Sequence, residues 1–198
     1  MTSDIFKTST NIKEHNLPAL ILIDWQTGFR DLDYWGPRNN PAAEGNAERL
    51  LAFWRQRGGI IIHVRHDSTT PASPLFPGKA SHAFEAFVTP KKGEVVYGKN
   101  VNSAFIGTTL EADLRSAGHN RLVMCGISTD HCVNTTTRMA GNLGFEVQLV
   151  SDACFCFDRV HPDGQTIPAQ MVHDVHLAGL SGEFAVIVTA DQIIEQQG

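Results

Sequence analysis

The segment LPALILID, from Leu17 to Asp24, constrains the fold more than any other part of the chain. It is a short, continuous apolar run that ends on an acid. A strand with one wet face would alternate apolar and polar residues, so an unbroken run predicts a strand buried on both faces, as in a parallel sheet. A second apolar run lies at Ile60–Val64, with His63 inside it, and further strand candidates at Glu94–Tyr97, Leu122–Cys125, Phe145–Val150 and Phe184–Val188. Helical stretches are predicted between them. Asn40-Pro41 offers an N-cap and a first-turn proline for a helix carrying Leu50, Leu51, Phe53 and Trp54, stopped by Gly58-Gly59. Thr108 and Glu111 have capping-box spacing for a helix that ends near Gly118. Further helices are expected over Thr129–Asn142 and Ile167–Leu180. Strands alternating with helices imply a parallel sheet covered on both faces. In such sheets ligands bind beyond the carboxyl ends of the strands. Asp24, Lys99 and the segment Gly126 to Cys132 all fall there.

At 198 residues the chain suits one domain, read as spanning residues 1–198 without a linker or internal repeat. Its net charge of -5 argues against a nucleic-acid or anionic-membrane face. No apolar run approaches the length of a membrane span. The opening MTSDIFKTST lacks the apolar stretch of a secretory leader, so the expected location is the cytoplasm, where thiols stay reduced. Arg65 to Gly93 is rich in Pro, Ser, Thr and Gly and reads as a long loop of the kind that often serves function.

Cys132 is the sharpest chemical feature. It falls in the first turn of the helix expected after Gly126, where free N–H groups and the helix dipole favour a thiolate and could hold an oxyanion. A cysteine there can equally be a small buried hydrophobe. Asp24, ending a buried strand, reads either as a local cap or as the base for a thiol proton. Lys99 reads either as a solvated cation or as the charge that steadies a thiolate beside a carboxylate.

Three segments carry a family resemblance: DWQTGF from Asp24 to Phe29, KNVNSAF from Lys99 to Phe105, and GISTDHCV from Gly126 to Val133. In order and spacing they resemble the signature segments of the isochorismatase-like cysteine hydrolases, and the likeness runs from about Pro18 to Ile194. The resemblance implies a three-layer α/β/α sandwich with a mainly parallel six-stranded sheet. It implies a triad of Asp24, Lys99 and Cys132, a cis peptide between Ile127 and Ser128, and an oxyanion hole built from the Ser128 and Cys132 N–H groups. It also implies a homodimer or homotetramer. The family includes a vinyl-ether hydrolase, which has no need of a thiol, so Cys132 points to the branch that cleaves small-molecule amides.

The remaining residues are weighed beside this. Trp25, Phe29, His66 and Phe105 are expected to contact substrate. Gln26 and Asn102 could orient Asp24 and Lys99. The nicotinamidases of the family bind a metal through an Asp-x-His pair; here the region reads His63, Arg65, His66, Asp67 with His82 downstream, the Asp-x-His order is absent, and no metal or cofactor is expected. His63 reads as a core histidine. Arg65 reads as an acid-binding residue or as half of a surface ion pair. Cys154-Phe-Cys156, with His161 and His173, matches no standard zinc site and is placed in a loop after the fifth strand. Two other classes compete with the hydrolase: a binding protein without turnover, and a thiol sensor pairing Cys132 with Cys154 or Cys156.

Overall fold

Residues 17–198 are described by the computed structural model; the stretch MTSDIFKTST, read above for a leader, lies outside them. Strand β1 (Ala19–Ile23) is buried along its whole length, as an unbroken apolar run requires. It pairs in parallel with β2 (Ile61–His66) on one side; β3 (Val95–Lys99) lies beyond β2. On its other side β1 pairs in parallel with β4 (Arg121–Ile127), followed by β5 (Glu146–Phe155). A small antiparallel hairpin, β6 (Arg159–Val160) and β7 (Thr166–Ile167), precedes the sixth sheet strand, β8 (Val186–Val188). The sheet order is β3-β2-β1-β4-β5-β8, and every neighbouring pair in it is parallel.

The connections explain where a site must lie. From β1 the chain winds outward to β2 and β3, then crosses back to β4 and winds the other way to β5 and β8. Crossovers of one hand therefore place their helices on opposite faces for the two halves. After the single turn α1 (Leu32–Trp35), α2 (Ala43–Arg57) covers one face. Helices α3 (Leu110–Ser116), α4 (Asn134–Asn142) and α5 (Ala169–Leu180) belong to the other crossovers, and α6 (Ala190–Gln197) returns to pack on α2. The reversal falls between β1 and β4, the switch point at which doubly wound sheets open a crevice. Trp54 of α2 is fully buried and donates its indole N–H to the Pro18 carbonyl at 2.8 Å, fixing that helix over the start of β1.

Several local expectations change. Asn40 does not cap α2: with φ of 45° it sits in the left-handed region, and its side-chain amide donates to the Asp152 and Cys154 carbonyls. The helix begins at Ala43 without a side-chain cap. Thr108 and Glu111 form no capping box: the N-cap is Thr109, without a side-chain bond, and the Thr108 hydroxyl donates to the Ala104 carbonyl and accepts from the Leu110 N–H. The capping box is found at Thr189 and Gln192, opening α6, a helix the sequence reading did not anticipate. Strand β5 continues past Val150 to Phe155. The polar pair that follows Val150 is satisfied in place: the Ser151 hydroxyl donates to the Val188 carbonyl and the Asp152 carboxylate accepts from the Ala190 N–H. Cys154 is therefore in a strand and not in a loop. The expected loop from Arg65 begins later, since Arg65 and His66 belong to β2; from Asp67 to Gly93 the chain has no long helix, only short turns at Ala80–His82 and Ala86–Val88.

His63 is a fully buried strand residue whose ring contacts Glu94 at 2.7 Å. Glu94 also binds the Arg55 guanidinium and accepts from the Lys91 N–H. Burial favours the neutral acid, but these partners outweigh it and lower the Glu94 pKa from 4.5 to about 2. A carboxylate with a depressed pKa adds stability above its unfolded value, and that stability is lost as pH falls from about 4.5 towards 2. Glu94→Gln is expected to flatten the acid limb of the stability–pH curve in that window, measured by urea unfolding. An unchanged limb would remove Glu94 as its cause.

Candidate active site

Three strand ends converge at the switch point. Asp24 follows β1 directly and is held with φ of 55°, a left-handed conformation that aspartate tolerates better than bulkier residues. Its N–H donates to the Val64 carbonyl at 2.9 Å, so the turn stays tied to β2. Lys99 is the last residue of β3 and lies opposite His66, the last residue of β2. Its side chain is fully buried and reaches over the end of β2 towards β1. Cys132 comes from beyond β4. There Gly126 approaches β1 so closely that a Cβ would lie 2.1 Å from the Ile23 carbonyl oxygen. The Ile127–Ser128 peptide is cis, and a π-helical turn, Thr129–Val133, then leads into α4. The His131 and Val133 N–H groups both donate to the Ser128 carbonyl and wrap this turn about it.

The result is a compact buried cluster. The Lys99 ammonium donates to Asp24 Oδ2 at 2.7 Å, to His66 Nδ1 at 3.0 Å and to Cys132 Sγ at 3.2 Å. Asp24 Oδ1 is buried and has no hydrogen-bond partner among the described residues. Asn102 Oδ1 lies 3.7 Å from the thiol. Burial, followed by the negative charge of Asp24, raises the Cys132 pKa, and Lys99 opposes this only in part. Burial and Asp24 thus favour the protonated thiol, against the thiolate that a helix start alone would favour. Burial also works against the charge on Lys99, but Asp24 and Cys132 outweigh it and raise the Lys99 pKa. Among the described residues, Asp24, His66 and Cys132 are the one group of potential metal ligands close enough to share an ion, and Lys99 Nζ already occupies the space between them.

The structure thus brings Asp24, Lys99, Cys132 and His66 together, with Ser128 at the foot of the same turn. The aromatic residues pack against other rings. Trp25 is buried with its ring centroid 5.4 Å from Phe87 and 6.0 Å from Phe155. Phe29 packs against Trp35 and Phe157 in the core. Phe105 stacks on Phe145, which precedes β5 at the opposite end of the sheet from Asp24, Lys99 and Cys132. The Gln26 backbone N–H donates to the Asp24 carbonyl at 2.8 Å, but its side-chain amide binds the His66 N–H and the carbonyls of His66 and His82. Arg65 pairs with Asp67, which also binds His82 at 2.7 Å. All four cysteines are free. Cys156 donates to the Ala169 carbonyl, and burial pushes its thiol up to about 12.

One network was not foreseen. Asp130, two residues beyond Ser128, accepts from the Ser128 hydroxyl at 2.7 Å and from Arg159 Nε at 2.6 Å, tying the β6–β7 hairpin to the turn that carries Cys132. The acid next to His131 was visible in the sequence; nothing local singled out Arg159 as its partner.

A buried thiol flanked by a carboxylate and an ammonium, at the switch point of a parallel α/β sheet, defines the cysteine-hydrolase class of site. The Isochorismatase domain model matches residues 18–192, and the chain belongs to the isochorismatase family. The isochorismatase family protein YrdC of Bacillus subtilis (strain 168) is 43% identical over 176 residues, covering 89% of this chain and 94% of its own. The maleamate amidohydrolase of Pseudomonas putida is 26% identical over 195 residues, covering 90% of this chain and 86% of its own. The crystal structure of an isochorismatase-family protein from Chromobacterium violaceum ATCC 12472 superposes with a TM-score of 0.89 at 46% identity, covering 94% of this chain and 96% of that one. Among the described residues, no helix is long and apolar enough to cross a membrane.

Proposed function

We propose that this hydrolase cleaves a C–N bond of a small-molecule amide through a thioester on Cys132. The observation that carries the reading is the buried Lys99 ammonium bonded at once to Asp24 and to the Cys132 sulfur. A binding pocket has no need of a buried ion pair around a thiol, because each desolvated charge costs several kcal/mol unless paired. The likeness to a maleamate amidohydrolase supports the choice of an amide.

Asp24 Oδ1, which lacks a partner in the resting site, is the natural acceptor of the thiol proton. As the proton moves to Asp24, Lys99 holds the developing thiolate, and the sulfur attacks the amide carbon. The oxyanion rests on the Ser128 and Cys132 N–H groups, each such donor being worth roughly 3 kcal/mol in comparable sites. Asp24 then returns its proton to the leaving nitrogen and the C–N bond breaks, leaving an acyl thioester. Water, deprotonated by Asp24, attacks that thioester; the carboxylic acid departs and the proton restores the thiol.

The test is release of ammonia or amine by the purified protein over a panel of small amides, with intact-mass detection of an acyl adduct after rapid quench. An adduct on Cys132 that decays with product formation supports the route. Turnover without a covalent species, retained when Cys132 is removed, overturns it.

A further inference from the structure

Lysine has three ammonium protons, and in this site each has a partner. Two partners belong to the triad; the third is His66 Nδ1, at 3.0 Å. Because the ammonium has no lone pair, Nδ1 must accept, which fixes the imidazole as neutral with its proton on Nε2. His66 is also held with unusual care. Gln26, itself fully buried, donates to the His66 carbonyl and accepts from the His66 N–H, clamping that residue's backbone from both sides. His66 Nδ1 lies 3.8 Å from Cys132 Sγ and 3.9 Å from Asp24 Oδ2, so the ring closes the remaining side of the cluster.

We propose that His66 is a positioning residue for Lys99: its neutral imidazole takes the third ammonium proton and keeps Nζ between Asp24 and Cys132. Its consequence for turnover rests on the thioester reading above; its effect on the thiol does not. A residue that only contacted substrate would not need Nδ1 turned inward onto the lysine.

The charges around the ring set the direction of its pH dependence. Asp24 faces it from the end of β1, Lys99 from β3 and Cys132 from the π-helical turn. Asp67 follows it in the chain, and His82 comes from the turn Ala80–His82. Burial and then Lys99 lower its pKa from 6.5, with Asp24 and Asp67 opposing. The accepting, neutral form is therefore the one present at neutral pH, and it persists somewhat below 6.5. As pH falls through the lowered value, the ring becomes a cation facing an ammonium, and Nζ loses its place.

The test is the rate of Cys132 alkylation by iodoacetamide across the titration range of histidine, with Cys132→Ala as the blank for the other thiols. The comparison is between wild type, His66→Leu, which has no acceptor, and His66→Asn, which presents an acceptor near the position of Nδ1. His66→Leu is expected to be alkylated about tenfold more slowly near neutral pH, the worth of one hydrogen bond to a charged group. His66→Asn is expected to recover most of that rate and to lack the inflection below 6.5 expected of wild type. A His66→Leu profile superposable on wild type, or a His66→Asn as slow as His66→Leu, would overturn the proposal. Alkylation needs no turnover. A wild-type protein inert towards amides but with this His66 dependence would therefore remove the amidase reading and leave the positioning role standing.

Discussion

Cys132→Ala should abolish amide hydrolysis, with kcat falling by at least about 10⁴-fold and stability nearly unchanged. The size follows from covalent catalysis: removing a nucleophile leaves only binding and the oxyanion donors to act on the amide, and comparable deletions cost on the order of 10⁴–10⁶. The fold should tolerate the change, because the thiol hangs from a short turn and its departure leaves the Lys99–Asp24 pair, bonded at 2.7 Å, in place. Substrate should still bind, so a crystal of the variant soaked with a productive amide would display an intact Michaelis complex. Ammonia release at wild-type rate from the variant would refute nucleophilic catalysis and leave only a route in which water attacks directly.

Gly126→Ala should be the most damaging single substitution outside the triad. Gly126 has φ of 151°, a region side chains rarely adopt, and its missing Cβ would stand 2.1 Å from the Ile23 carbonyl oxygen and 2.7 Å from the Ile23 Cβ. Neither neighbour is a flexible side-chain tip; the carbonyl belongs to the fully buried strand β1. To admit a methyl, β1 and β4 must part at the place where their ends present Asp24 and Cys132. The expected loss is about 3–5 kcal/mol in urea unfolding, from overpacking and an unfavourable φ acting together. Activity should fall even at temperatures where the variant stays folded. A variant within about 1 kcal/mol of wild type would mean that the two strands can separate cheaply.

The order of strands and helices was legible because burial writes itself into the chain. Leu20 to Ile23 and Leu122 to Cys125 are apolar without a break, as strands covered on both faces must be. Element ends were less legible, because they depend on partners remote in sequence. Asn40 looks like a helix cap, yet carbonyls of Asp152 and Cys154, more than a hundred residues away, claim its amide. Ser151 and Asp152 look like a strand end, yet β8 and the start of α6 satisfy them. In the site, Asp24, Lys99 and Cys132 stood out by position at strand ends and by motif. The aromatic residues between them could not be aimed, since a ring near a motif says nothing about which face it packs on; Phe105 turns to Phe145 and Phe29 to Trp35. The Lys99 contact of His66 was equally hidden, because it depends on the register that sets β2 against β3.

The order of strands at the switch point also bears on how the protein comes to life after synthesis. Asp24 and Lys99 are separated by 75 positions and Lys99 and Cys132 by 33, and each arrives on a different strand of the same sheet. No early helix or local hairpin can assemble the cluster; β1, β2, β3 and β4 must all be paired before Asp24, Lys99 and Cys132 meet. Long-range pairings of this kind form slowly because loop closure is paid before the contacts reward it. Catalytic competence should therefore trail the recovery of helical signal during refolding, making the thiol's reactivity a clock for completion of the sheet's centre.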